Sequence, residues 1–298
     1  MRHDPSPTRP TRPDPNARAA RTRQRLDRPL ASLPDAAALL FLIAGTASAQ
    51  VPGARDAARE FEMTDNSFLI EEAFNQEPGV VQTTLTFLTG DEEWGLDLSQ
   101  EWPLGTQTHQ FGYTIPYESG GSPAIVDLYL HYRYQALTET TRRPAFSPRL
   151  SLILPTTRKE DESGQGNPGW EVNLPLSKQF GDFYTHVNVG GTGRPGVDTP
   201  GGEEVHLLTP WLGGSVIWRA RPFLHLLLES LAEFEETVSG PDTTDREVVW
   251  VLSPGLRAGR DFGRSQLVAG IAVPIGLTRA ATDAALLVYL SYEFPFKR

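Results

Sequence analysis

Thirteen ionisable side chains each stand beside at least one apolar neighbour in this sequence: Asp97, Glu101, Asp127, His131, Arg133, Arg149, Glu171, His186, His225, Glu229 and Glu233, with Arg257 and Glu293. Asp97 lies between Leu96 and Leu98, His131 between Leu130 and Tyr132, Glu171 between Trp170 and Val172. Mixed charges collected on one side of a sheet that closes on itself set a field across the interior, which sorts solutes by charge. The same groups can instead pair across the interior and hold it shut, and the residues alone leave both readings open. Catalysis has less support. A Ser/His/Asn hydrolase built on strands would carry His and Ser two apart on one strand face, and none of His109, His131, His186, His206 or His225 has Ser at i+2. Asn188 follows His186 at that spacing, but no Ser is placed to join them. Carboxylate pairs such as Asp97 and Glu101 occur on any acidic face, so acid/base work is not singled out. His225 with Glu229 lacks the ligand spacing of a metal site, and no cofactor or metal is expected. Gly120-Gly121, Gly190-Gly191 and Gly213-Gly214 lack the strand–loop–helix setting of a phosphate loop.

The elements that would carry these residues alternate with period two. Val81, Thr83, Leu85 and Phe87 share one face, as do Trp94, Leu96, Leu98 and Trp102, then Phe111, Tyr113, Ile115 and Tyr117. Val126, Leu128, Leu130, Tyr132 and Tyr134 follow, then Phe146, Leu150, Leu152 and Leu154, then Trp170, Val172, Leu174 and Leu176. Further strands are expected over about 183–191, 207–219, 222–236, 246–258, 265–276 and 284–296. Alternating segments of about ten residues divided by turns are the mark of a transmembrane β-barrel, with apolar side chains toward lipid and polar ones toward the lumen. The fold class expected is therefore all-β, an antiparallel up-and-down barrel of about 12 strands. An even count puts both chain ends on the periplasmic side. Outward connections are expected near 89–92, 117–123, 155–168, 191–206, 237–246 and 277–284, and inward ones near 103–106, 136–144, 180–182, 219–222 and 259–264. Aromatics near strand ends fit interfacial belts: Trp94, Trp102, Trp170, Trp250, Tyr292, Phe294 and Phe296, with Tyr117, Tyr134, Trp211 and Trp218. Prolines 116, 148, 175, 210, 254 and 274 argue against unbroken ladders, because proline donates no hydrogen bond. Phe223 to Phe234 also matches helical spacing at Leu224, Leu227, Leu228, Leu231 and Phe234 and is read as strand.

Residues 1–49 differ in kind. They hold eight Arg, four Asp and many Pro, then run DAAALLFLIAGTASA to Ala47-Ser48-Ala49 before Gln50. A basic region, a short apolar core and a small-residue site read as a secretory signal peptide cut near Ala49/Gln50. The remainder carries 19 basic against 33 acidic residues, which excludes the basic footprint of a nucleic-acid binder. With no cysteine there is no disulfide, thiolate ligand or thiol nucleophile. Residues 50–77 are acidic with Phe61, Phe68, Leu69, Ile70 and Phe74 interspersed. They are expected either to hang in the periplasm or to fold into the lumen as a plug, ahead of a barrel over 78–298.

Three aromatics two apart at the end, Tyr292, Phe294 and Phe296, resemble the closing strand of outer-membrane barrels, which serves as their assembly signal. The stretches DNSFLIEEAFNQEPGVVQ (65–82), QEWPL (100–104), DLYLHYRYQ (127–135) and SPRLSLILPT (147–156) resemble the outer-membrane transporter family labelled "MetA-pathway of phenol degradation". The resemblance covers about 65–298 and rests on strand and turn patterns. It implies a secreted twelve-strand barrel that passes small molecules, hydrophobic or aromatic ones among them. The expected partners are outer-membrane lipid, the barrel-assembly machinery acting on the last strand, and a small solute. The expected function is passive transport without enzymatic activity in the outer membrane of a Gram-negative-type bacterium. An open lumen of this charge should favour cations or neutral solutes. The alternatives are a non-conducting structural or adhesive barrel and, less favoured, a lipase-type enzyme.

Overall fold

The computed structural model describes Met63 and residues 67–90, 93–119, 124–156 and 167–296. The expected signal peptide over 1–49 and residues 50–62 lie outside the described residues. Twelve strands follow one another: β1 (Val80–Gly90), β2 (Glu93–Pro103), β3 (His109–Glu118), β4 (Ala124–Ile125 and Leu128–Tyr134), β5 (Ala145–Phe146 and Arg149–Leu154) and β6 (Gly169–Asn173 and Leu176–Phe180). Then come β7 (Phe183–Asp198), β8 (Glu204–Arg221), β9 (Leu224–Gly240), β10 (Thr243–Phe262), β11 (Ser265–Ala272 and Ile275–Gly276) and β12 (Ala285–Pro295). Each pairs antiparallel with the next, and β12 pairs with β1 from Val80↔Pro295 to Gly90↔Ala285, so the sheet has no edge. The fold is the expected all-β, up-and-down, twelve-strand barrel. Closure removes the unpaired edge that an open sheet must otherwise protect.

Prolines account for most of the interruptions. β5 breaks at Ser147-Pro148, β6 at Leu174-Pro175 and β11 at Val273-Pro274. Around each break the backbone finds other partners: Ser147 N donates to Pro175 O at 3.3 Å, Leu174 N to Val189 O at 2.9 Å, and Val273 N to Pro254 O at 3.0 Å. Pro116, Pro210 and Pro254 stay inside β3, β8 and β10, where each removes one donor from the ladder. The stretch with helical spacing, Phe223 to Phe234, is strand from Leu224 onward, the start of β9, with Phe223 in the turn before it. Its Leu228 meets Val216 and Pro254 on one face, while Leu227 meets Ile217 on the other.

Two of the expected outward connections are corrected. Residues 191–206 and 237–246 are mostly paired strand, and β7, β8, β9 and β10 reach 16, 18, 17 and 20 residues. Their Gly and Pro content suggested loops, but Gly196, at φ 67°, sits at a register shift between Arg194 and Val197 and lets β7 bulge and resume pairing. The long hairpins β7–β8 and β9–β10 therefore extend the wall at the end of the barrel opposite Val80 and Pro295. At the end that holds those residues, tight turns occur at Gly181 and Gly263, each with positive φ, while residues 135–144 form a longer connection.

The two faces invert the usual order of a soluble protein. Outward-pointing Leu152 is 53 % exposed and Leu212 52 %, while inward-pointing Arg133 is 2 % exposed and Arg257 1 %. Apolar residues outside and buried charge inside is the pattern of a barrel whose outer face meets hydrocarbon.

Candidate functional site

The interior is occupied. Residues 67–76 run across it without secondary structure of their own, and their polar main-chain groups bond to side chains projecting from the wall. Phe68 N, Leu69 N and Ile70 N all donate to the Glu229 carboxylate of β9, at 3.3, 2.9 and 3.1 Å. Glu71 N donates to Asn188 Oδ1 of β7 at 2.8 Å, and Asn188 Nδ2 returns a bond to Glu71 O at 2.9 Å. Ala73 N donates to Ser177 Oγ at 2.7 Å, Asn75 N to Gln135 Oε1 at 3.0 Å and Gln76 N to Gln110 Oε1 at 2.7 Å. Seven amides are thus satisfied by side chains from different parts of the wall. Such an arrangement lets irregular backbone lie inside a barrel, because an unpaired buried amide costs about 1–3 kcal/mol.

Side chains of the segment are fixed as well. Phe68 reaches Tyr289 with ring centroids 5.1 Å apart and packs on a cluster of Met63, Val268, Ala272, Leu287 and Tyr289. A Cβ at Gly270 would stand 2.3 Å from the Phe68 ring, and one at Gly213 would stand 2.3 Å from Ile70 Cδ1. The wall glycines therefore make the room that these two side chains fill. Glu71 pairs with Arg133 and, at 2.7 Å, with Arg149. Arg149 also pairs with Glu171. Burial alone would push the Glu71 carboxyl up, but Arg149 and Arg133 beside it outweigh that and hold it down at about 2. His131 completes this patch, bonding Thr114 at 2.9 Å and Ser151 at 2.8 Å.

The strand register puts Asp97, Glu101, His131, Arg133, Arg149, Glu171, His186, His225, Glu229 and Glu233 on the inner face, and Asp127 lies in the break of β4. His131, Arg133, Arg149 and Glu171 come together around Glu71. Glu101 stands near Arg133 beside Gln110. His186 bonds Ser177 Oγ through Nδ1 at 2.7 Å, behind the segment. His225 lies opposite Arg257, with Glu229 two inward positions further along β9. Asp127 is apart from these, paired to Arg194 at 2.5 Å. Asp97 lies near Glu118, diagonally across the β2–β3 pair, and Glu233 lies near Glu235 and Glu171, so like charges meet at both places. A cavity of about 520 Å³ between the segment and the turns carries Glu72, Glu77, Glu139, Asp261 and Glu293 against Arg264. Among the described residues no group of three His, Cys, Asp or Glu side chains is arranged to hold a metal ion.

Trp94, Trp102, Trp170, Trp250, Tyr292, Phe294 and Phe296 all lie on the outward face. Trp211 does not: it pairs with Glu233 and Gly190 on the inner face and is corrected from belt to lumen. A Cβ at Gly190 would stand 2.4 Å from its ring, so the glycine leaves the space the indole occupies. The residues that the charge pattern missed are the uncharged ones, Gln82, Gln110, Ser177, Asn188 and Ser215, and the segment's own Glu71. All five uncharged residues alternate with outward apolar positions, which is the signal that would have found them.

The class this geometry defines is the outer-membrane β-barrel. No protein-family model matches the chain, and no curated protein does. Among solved structures it is similar to an outer-membrane channel from Pseudomonas putida F1, with 11 % identity and a TM-score of 0.52, over 78 % of this chain and 99 % of that one. It is also similar to the NanC porin, with 7 % identity and a TM-score of 0.48, over 73 % of this chain and 100 % of that one.

Proposed function

We propose that this protein is a passive outer-membrane channel for small molecules, whose lumen is closed by residues 67–76 and conducts when they move. The observation that carries the reading is the closed wall around a polar, charged interior, of the kind that admits solutes and water. The reading extends the likeness of sequence to the "MetA-pathway of phenol degradation" transporters and of fold to a channel of Pseudomonas putida F1. No substrate is carried over from either. In this reading residues 1–49 are a signal peptide, 50–77 end in a plug, and the C-terminal strand is the handle of the assembly machinery. Carboxylates in both halves of the lumen bias passage toward cations and neutral solutes. No enzymatic step is proposed.

A second reading is favoured by the filled interior: a barrel that never conducts and serves as scaffold. Planar-bilayer recording on the full chain separates the two. Steps that appear in Glu71→Ala and are rare in the unsubstituted protein support the gated channel. Silence in both, with heat-dependent gel mobility showing a folded barrel, overturns it in favour of the scaffold.

A further inference from the structure

The bonds that hold residues 67–76 are of a kind that another polypeptide could use. Seven of them read main-chain amides, which every peptide except one broken by proline can supply. Two side-chain sites add selectivity. One is the apolar slot over Gly255 and Gly270 that takes Phe68. The other is the Arg133–Arg149 pair that takes the carboxylate of Glu71. An aromatic followed three residues later by an acid, on a backbone that bends over 68–70 so that three successive amides reach the Glu229 carboxylate, is therefore what this wall recognises. We infer that the lumen is a binding site for peptides of that pattern that can take the same bent course, and that the protein's own segment is the occupant they displace.

The physical argument is the cost of vacancy. When the segment leaves, Glu229 and Asn188 lose the amides they accept, and Arg133 loses the carboxylate it faces. Buried polar groups left without partners favour whatever returns those partners. A second chain of the same course does so with the same geometry, as in other recognition modes that read the backbone for affinity and spaced pockets for specificity. A sugar or a single amino acid meets only a fraction of this set. A tethered occupant also keeps the site filled at high effective concentration, so an outside peptide binds only in proportion to the time the segment is out.

This inference relies on the channel reading for passage but not for binding, and the test separates the two. The probe is a fluorescein-labelled peptide, acetyl-SFLIEEAFNQ-amide, added to the full chain in detergent. The comparison protein is the full chain carrying Phe68→Ala and Glu71→Gln, which removes both anchors and leaves the wall intact. Fluorescence anisotropy is expected to show affinity for the substituted chain at least about tenfold above that for the unsubstituted one. N-methylation of the peptide at the positions of Leu69 and Ala73 should abolish binding, and a scrambled peptide should fail at the aromatic and acidic sites. Hydrogen exchange of amides 68–76 reports whether the segment has left. Exchange that becomes fast while the peptide still does not bind overturns the inference. So does equal binding of the N-methylated peptide, and so do amides that remain protected without their anchors, since they leave no vacancy. A chain that binds the peptide and carries no current refutes the channel and keeps the site. A chain that conducts and ignores the peptide does the reverse.

Discussion

The outer and inner faces of this wall are built from the same strands at alternate residues, yet they are specified differently. Outside, Val216, Leu228 and Leu256 are interchangeable in kind: each needs only to be apolar, because the surroundings are uniform. Inside, Glu229 serves the amides of Phe68 to Ile70, Asn188 serves Glu71, and Arg133 serves Glu71 and the carbonyl of Phe74. The first face is set by solvent and repeats. The second is set by particular partners, most of them more than a hundred residues away in sequence. A change outside should therefore be felt through the whole barrel, and a change inside through the seating of the segment.

The largest effect should come from charge on the outer face. Val216 points outward between Thr185 and Leu228. Val216→Arg should cost roughly 2–4 kcal/mol, as expected for a basic residue near the middle of a barrel's apolar band. Asp97→Arg puts the same side chain on the inner face near Glu118, and should cost about 1 kcal/mol or less by relieving like charge. Denaturant unfolding in detergent or lipid, read by tryptophan fluorescence, gives both numbers. Equal costs would break the comparison.

Next is the anchor at Glu71. Glu71→Ala leaves Arg133 buried without its carboxylate, and the segment should lose about 2 kcal/mol of docking, below the ~3–5 typical of a fully stranded buried charge because Glu101 remains near Arg133 and Glu171 beside Arg149. Hydrogen exchange over 68–76 should quicken roughly thirtyfold while the strands keep their protection. Acid removes the same charge. The folded carboxyl titrates at about 2, below its ordinary value of 4.5. A lowered value means that the stabilisation is complete above pH 4.5 and drains away as pH falls toward 2. Segment amides should therefore lose protection in that window in the unsubstituted protein and show no such step in Glu71→Ala. A step that persists in the variant would assign it to another group.

How much of this was legible follows from the same difference between faces. The repeat of Leu286, Val288, Leu290, Tyr292 and Phe294 announces a lipid-facing strand without knowledge of its neighbours, and so does each segment like it. That gave the strand number and the closing strand. Strand ends were less legible: Gly and Pro at 190–201 have the composition of a loop, and only pairing across Gly196 shows them to be ladder. Least legible was the lumen's content. Phe68 and Glu71 are ordinary residues of an acidic stretch until Gly270 and Arg133 are brought to them, and no local pattern joins positions so far apart. Trp211 failed for a related reason: an aromatic near a strand end reads as belt unless its parity against Glu233 is known.

The smallest effect makes the sharpest test, because it compares two glycines of the wall. A Cβ at Gly270 would stand 2.3 Å from the Phe68 ring inside, and a Cβ at Gly193 would stand 2.4 Å from the Trp170 ring outside. Locally the two crowdings are alike. Phe68 is held by its cluster and by the Glu229 bond to its own amide, so the ring cannot move without unseating the chain behind it. Trp170 is 41 % exposed and can swing over the outer face. Gly270→Ala should weaken the segment's docking by about 1 kcal/mol, in the range of overpacked interiors, and Gly193→Ala should cost roughly half of that or less. Exchange rates of amides 68–70 read the first, and barrel unfolding reads the second. If Gly193→Ala also frees the segment, the outer face is not independent of the inner one, and the wall transmits strain through its thickness.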